Sequence, residues 1–125
     1  MHAIAEFACV ASGGALGTVV RYLVTGPLAR TIGVPSWVAI CGVNILGSLL
    51  AGVLIGTLAP GEAVAVRAFL LIGVFAGFTT FSTSMLDSWV LWKTDRRGRA
   101  WICLLGTPTM AIVGVLFGHL LGGHA

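Results

Sequence analysis

Four long runs without a charged residue set the pattern of this chain: between Glu6 and Arg21, between Arg30 and Glu62, between Arg67 and Asp87, and after Arg99. A helix crossing ~30 Å of hydrocarbon needs roughly 20 residues. The runs therefore predict four transmembrane helices, at Ala3–Val24, Trp37–Leu58, Ala68–Trp92 and Ala100–Leu121. Gly26, Pro27, Gly33 and Pro35 mark Thr25–Ser36 as a break, and Pro60 and Gly61 mark the second connection. Lys93–Arg99 reads as a hydrophilic turn with four basic residues. Residues 1–125 thus form one four-helix transmembrane domain, with no room for a soluble domain and no recognisable catalytic module. The chain is read as a non-enzyme. The first segment lacks a positive leading region and its apolar stretch runs too far for a cleaved signal peptide.

Small residues recur within the spans. Glycines stand four apart at Gly13/Gly17, Gly52/Gly56, Gly73/Gly77, Gly114/Gly118 and Gly118/Gly122. In lipid this spacing lets helix backbones approach closely, and it predicts a compact bundle that continues across an oligomer interface. Pro108 lies inside span four, where it removes a backbone donor and predicts a kink. Thr107 and Thr109 flank it and can satisfy the freed carbonyls or line an ion path.

Composition agrees with the membrane reading. The chain is 58% hydrophobic and 9% charged, where a soluble domain carries about a quarter charged residues. Cys9, Cys41 and Cys103 all fall within spans and read as small hydrophobes filling helix contacts, without zinc-site spacing. The basic excess is a topology signal and not a sign of nucleic acid. Of seven Lys and Arg residues, six (Arg21, Arg30, Lys93, Arg96, Arg97, Arg99) lie toward one face, and only Arg67 lies toward the other. Positive short loops mark the cytoplasmic side. Loops one and three are expected in the cytoplasm, both termini outside, and the protein in the cell membrane. All four tryptophans sit at the same edge, although aromatic belts normally occupy both interfaces.

The candidate chemistry concentrates in span three. Five hydroxyl residues, Thr79, Thr80, Ser82, Thr83 and Ser84, surround Phe81. Hydrocarbon penalises unpartnered polar groups and tolerates irregular backbone only against protein or a water-filled cavity. Weak helix formers run from Gly73 to Phe81, so the third helix is expected to break mid-span and expose main-chain carbonyls. Such carbonyls coordinate hard cations, and half-helix amino ends attract anions. An ordinary helix with hydroxyls bonded back to carbonyls one turn earlier is the competing reading. Asn44 in span two either bonds across helices or presents donors to an anion, and Ser48 lies one turn on along the same face. Arg21 either snorkels to the interface or draws anions to a pore mouth. Asp87 is placed to pair with a basic loop residue, and His119 is given no role.

Taken in order, these residues resemble the small fluoride channels called Fluc or CrcB-type. The matching elements are Gly13-Gly14-Ala15-Leu16-Gly17 with Arg21-Tyr22, Val43-Asn44-Ile45-Leu46-Gly47-Ser48, and Gly77-Phe78-Thr79-Thr80-Phe81-Ser82-Thr83. Span four matches mainly by hydrophobicity. The resemblance implies an all-α membrane protein whose four-helix subunits form an antiparallel dimer with two pores. It implies passive fluoride export that lowers fluoride toxicity, within membrane lipid and with no nucleic acid.

It further implies a structural sodium ion at the dimer centre, held by main-chain carbonyls of Ala76 and Thr79. Asn44, Phe81, Ser82, Thr83 and Thr107 would form the fluoride pathway and Arg21 its vestibule. Phenylalanine edges carry partial positive charge and suit an anion. Ala76 stands where the family has the first glycine of a pair; it keeps the carbonyl but restricts the backbone. Ser84 stands where the family has a second pore phenylalanine. The unbalanced loop charge suggests a subunit of fixed orientation paired with a homologous subunit of opposite orientation. A non-conducting or partly degenerate partner subunit is therefore an alternative. A small proton-coupled multidrug exporter is disfavoured, because Glu6 and Asp87 both lie near span ends.

Overall fold

The computed structural model of the protein describes residues 2–59, 61 and 63–123. Pro60 and Glu62, read above as part of the second connection and as the end of a charge-free run, lie outside the described residues. Four helices among the described residues are long and apolar enough to cross a membrane: α1 (Ala3–Thr31), α2 (Ser36–Thr57), α3 (Val64–Lys93) and α4 (Arg97–Gly123). The four hydrophobic runs therefore correspond to four helices. At 1.5 Å per residue the longest, of 30 residues, reaches about 45 Å, more than hydrocarbon alone requires.

The expected first break was misplaced. Helix α1 does not stop at Val24; it passes through a wide π-type turn at Val24–Leu28 that contains Pro27 and ends at Thr31. A wide turn changes the bonding register around the missing proline donor, so Pro27 interrupts the ladder without ending the helix. The true stop is Gly33, in the left-handed region at φ 74°, with the Val34 N–H returning to the Ala29 carbonyl at 2.8 Å. This is the glycine-terminated helix end, and Pro35 then opens α2. The turn between α3 and α4 uses Asp95 in the same left-handed role (φ 59°), with the Arg96 N–H bonded to the Leu91 carbonyl.

Glycine decides how closely the helices meet. Helix α1 runs along the first half of α3, and α2 runs along α4. A β-carbon at Gly17 would collide with the Val74 carbonyl, and one at Gly118 with the Leu49 carbonyl. Both seams bring backbone against backbone, as the four-residue spacing predicts. Past Phe78, α3 changes neighbours and packs on the start of α4 and on α2. The changeover coincides with Thr79 and Thr80, which leave helical geometry (φ/ψ −81°/155° and −152°/121°) before α-helix resumes at Phe81.

Candidate functional site

The backbone at Thr79 and Thr80 frees polar groups in an apolar span, and side chains take them up. The Asn44 amide faces the Thr80 main chain with both ends: Nδ2 donates to the Thr80 carbonyl at 2.8 Å, and Oδ1 accepts the Thr80 N–H at 2.7 Å. Asn44 is 8% exposed. It acts as a one-residue strand partner, with bonds short enough to be fully formed. Because the Thr80 N–H goes to Asn44, it closes no turn onto the Ala76 carbonyl. Thr80 Oγ1 accepts the Thr83 N–H at 3.3 Å and so caps the second half of α3. It also donates to Thr83 Oγ1 at 3.1 Å. Thr79 keeps its bonds to the Phe75 carbonyl through both its N–H (3.0 Å) and its hydroxyl (2.9 Å).

Arg21 reaches inward rather than snorkelling. Its Nη1 lies 3.3 Å from the Thr79 carbonyl, so α1 places a fixed positive charge beside the interruption. Asp87 forms no ion pair with a basic loop residue: its Oδ2 is buried without a hydrogen-bond partner. The salt bridge at that loop is Arg97 to Asp95. Arg67 caps the end of α2 through the Leu58 and Ala59 carbonyls.

A groove of about 370 Å³ opens along this region. Asn44, Ser48, Ala76, Thr79, Thr80, Phe81, Ser84 and Thr107 line it, together with Pro108 and Ala111 from α4. The structure thus gathers three helices' polar residues, and six positions singled out as site residues, at one place. Ser82, Thr83 and Arg21 do not line it. Phe81 is 69% exposed and Ser82 is also exposed, so this turn presents itself outward from the single subunit. A larger groove of about 470 Å³ between α1 and α2 is lined by apolar residues and offers an anion no donor.

The donors differ in readiness. Asn44 has a second amide hydrogen beyond the one given to Thr80. The turn Phe81–Thr83 is the amino end of a 13-residue helix, where partial positive charge gathers. The Thr107 hydroxyl, in contrast, is already engaged. It lies 2.9 Å from Cys41 Sγ and 3.5 Å from the Ile102 carbonyl. Ser84 is 2% exposed, and its hydroxyl points to the Cys103 carbonyl at 3.5 Å.

That carbonyl has a reason to need a donor. The stretch Ile102–Gly106 is a wide turn in which the Thr107 N–H bonds the Ile102 carbonyl. The next bond in that register would run from residue 108 to the Cys103 carbonyl, and Pro108 has no N–H. Thr109 caps the neighbouring Leu105 carbonyl at 2.7 Å, as its position beside Pro108 suggests. Thr80 was not singled out from the sequence as a site residue. The signal was there: a mid-span asparagine requires a partner with both a donor and an acceptor, which an unpaired peptide supplies.

Comparison with known proteins places the chain. Residues 8–119 match the family described as CrcB-like protein, Camphor Resistance (CrcB). A fluoride-specific ion channel, FluC, of Agrobacterium fabrum (strain C58) is 38% identical over 119 residues, covering 94% of this chain and 95% of that protein. Nitrobacter hamburgensis has two similar proteins. Its fluoride-specific ion channel FluC 1 is 39% identical over 116 residues (91% of this chain, 88% of that one). Its FluC 2 is 34% identical over 114 residues (90% and 92%).

Proposed function

This chain belongs to the CrcB-like family, and from that premise we propose that it conducts fluoride passively across the cell membrane, exporting it and limiting its toxicity. It is a multi-pass membrane protein with four apolar helices, related to ion channels and not to enzymes. The observation that carries the reading is the Asn44–Thr80 clamp beside a groove that also holds Ser48, Phe81 and Thr107. A small, strongly hydrated anion needs concentrated donors in exchange for water. The free Asn44 N–H, the Ser48 hydroxyl, the amino end of the helix at Phe81–Thr83 and the positive edge of Phe81 are such donors.

The subunit reads as half of an antiparallel dimer. The high exposure of Phe81 and of the Ala76 face leaves the pathway incomplete on one chain. The third helix, interrupted at Thr79–Thr80, supplies the oxygen donors for a structural sodium ion. Carbonyls are the right donor type for it, and the Ala76 carbonyl is spared by the Asn44 bond to Thr80. Ala76 and Thr79 would hold the ion. When bound it would supply a fixed positive charge at the subunit junction. Arg21 shares the Thr79 carbonyl and provides positive charge of its own.

The second reading, a specialised member of an unlike pair, rests on Ser84 and on the one-sided basic residues. One organism's FluC 1 and FluC 2 give a precedent for two such proteins in one organism. Fluoride efflux from liposomes, with this chain alone and with a homologue of opposite loop charge, tests both. Efflux by the chain alone supports a homodimer, and efflux only with the homologue supports the unlike pair. No efflux in either case overturns the channel. Efflux that persists unchanged without sodium overturns the structural ion. A mixture of C-terminal tag signals from both sides of the membrane overturns fixed orientation.

A further inference from the structure

Behind the groove, two thiols meet across the α2–α4 seam. Cys41 Sγ and Cys103 Sγ are 3.8 Å apart, and neither forms a disulfide. Cys103 is fully buried, and Cys41 accepts the Thr107 hydroxyl. Two further polar atoms nearby are unsatisfied. On α3, the Ser84 hydroxyl reaches the Cys103 carbonyl, and the Asp87 Oδ2 has no partner. Trp37, whose Nε1 is also unpartnered, packs against the cluster that contains Cys103.

We propose that Cys41 and Cys103 form a two-thiolate site for a soft d10 metal cation. Among the described residues no group of three or more His, Cys, Asp or Glu side chains could hold a metal, so the site suits ions content with two sulfurs. The separation favours a bridged ion over a disulfide. With metal–sulfur bonds of ~2.3 Å, the observed 3.8 Å corresponds to an S–metal–S angle of ~110°, and opening to a linear arrangement moves the sulfurs apart by ~0.8 Å. A disulfide would draw them together by nearly 1.8 Å, to ~2.05 Å, across two packed helices. Occupancy spreads α2 from α4 beside Thr107 and removes that hydroxyl's present acceptor. The ion thereby disturbs the groove wall.

Mercuric ion is the probe. Two thiols lose two protons, two mercury–sulfur bonds form, and both chlorides of mercuric chloride leave; nothing is oxidised or reduced. The full-length protein carrying Cys9→Ser removes the remote thiol. Intact-mass analysis should find one mercury per chain with two protons lost and no chloride retained. Adding Cys41→Ser or, separately, Cys103→Ser should convert this to an adduct that retains one chloride. Two singly attached mercurials on the Cys9→Ser chain overturn the site, as does no uptake while both thiols still react after unfolding. Efflux loss rests on the channel reading, whereas the mass result does not. Bridged mercury should abolish efflux from Cys9→Ser liposomes but not from those that also carry Cys41→Ser. Bridging with undiminished efflux overturns the coupling to Thr107.

Discussion

Of the irregular stretches within the membrane spans, those in α3 and α4 are handled differently. In α3 the interruption at Thr79–Thr80 is met by a buried asparagine at 2.7 and 2.8 Å and by a threonine cap. In α4 the wide turn before Pro108 is met by two hydroxyls at 3.5 Å, from Ser84 to the Cys103 carbonyl and from Thr107 to the Ile102 carbonyl, and by Thr109 on the Leu105 carbonyl at 2.7 Å. The first is a specified joint. A single amide supplies both the donor and the acceptor that a freed peptide needs, and few other side chains can do that. The second is a looser accommodation, because its bonds to the Cys103 and Ile102 carbonyls stand at the long edge of hydrogen bonding, where small relaxations would suffice. The contrast suggests that the α3 joint is a fixed part of the site and that α4 is its adaptable wall.

The largest test strikes the joint. Asn44→Leu keeps the bulk near Thr80 and removes both bonds, leaving a buried N–H and a buried carbonyl without partners. A loss of about 2–4 kcal/mol is expected. It should appear as a clear fall in thermal midpoint in detergent and as loss of fluoride efflux. A variant as stable as the parent would mean that water or a partner chain already serves Thr80, and the joint would then be no firmer than α4.

Thr80→Val comes next. It keeps the Asn44 clamp, which uses only the backbone, and deletes the cap on Thr83 N–H. About 1 kcal/mol should be lost, the usual effect of removing an N-cap. Efflux should fall less than for Asn44→Leu. If the two variants lose equal stability, the cap and not the asparagine holds the interruption open.

Much of this was legible in the residues, for uneven reasons. The four helices follow from charge-free runs, because hydrocarbon tolerates little else. The Gly17 and Gly118 seams follow from small-residue spacing, since only a missing β-carbon admits a carbonyl at that distance. Asn44 was legible as a choice between bonding across helices and presenting donors. The geometry shows that it bonds across, with one amide hydrogen left over. What could not be read was set by pairing across helices. Pro27 lies in a wide turn whose register depends on the ladder around it. Arg21 finds an inward carbonyl that exists only because α3 is irregular. Asp87 is buried on α3 without a partner, while Asp95 in the turn takes Arg97.

The smallest effect asks whether Ser84 serves the loose helix at all. Ser84→Ala should cost only about 0.6 kcal/mol, the typical worth of a hydrogen bond between membrane helices. The single variant therefore decides little, but its combination with Pro108→Ala decides more. Alanine at 108 regains an N–H that the Cys103 carbonyl can accept from within α4. If Ser84 compensates for Pro108, then Ser84→Ala becomes neutral in the Pro108→Ala background, and the double-mutant cycle shows a coupling comparable to the single loss. Thermal midpoints of the four proteins in one detergent supply the cycle. Strict additivity would separate Ser84 from Pro108 and return it to the groove as a lining hydroxyl. Coupling would instead explain why this chain keeps a serine there: a phenylalanine has no proton to give to the carbonyl that Pro108 leaves free.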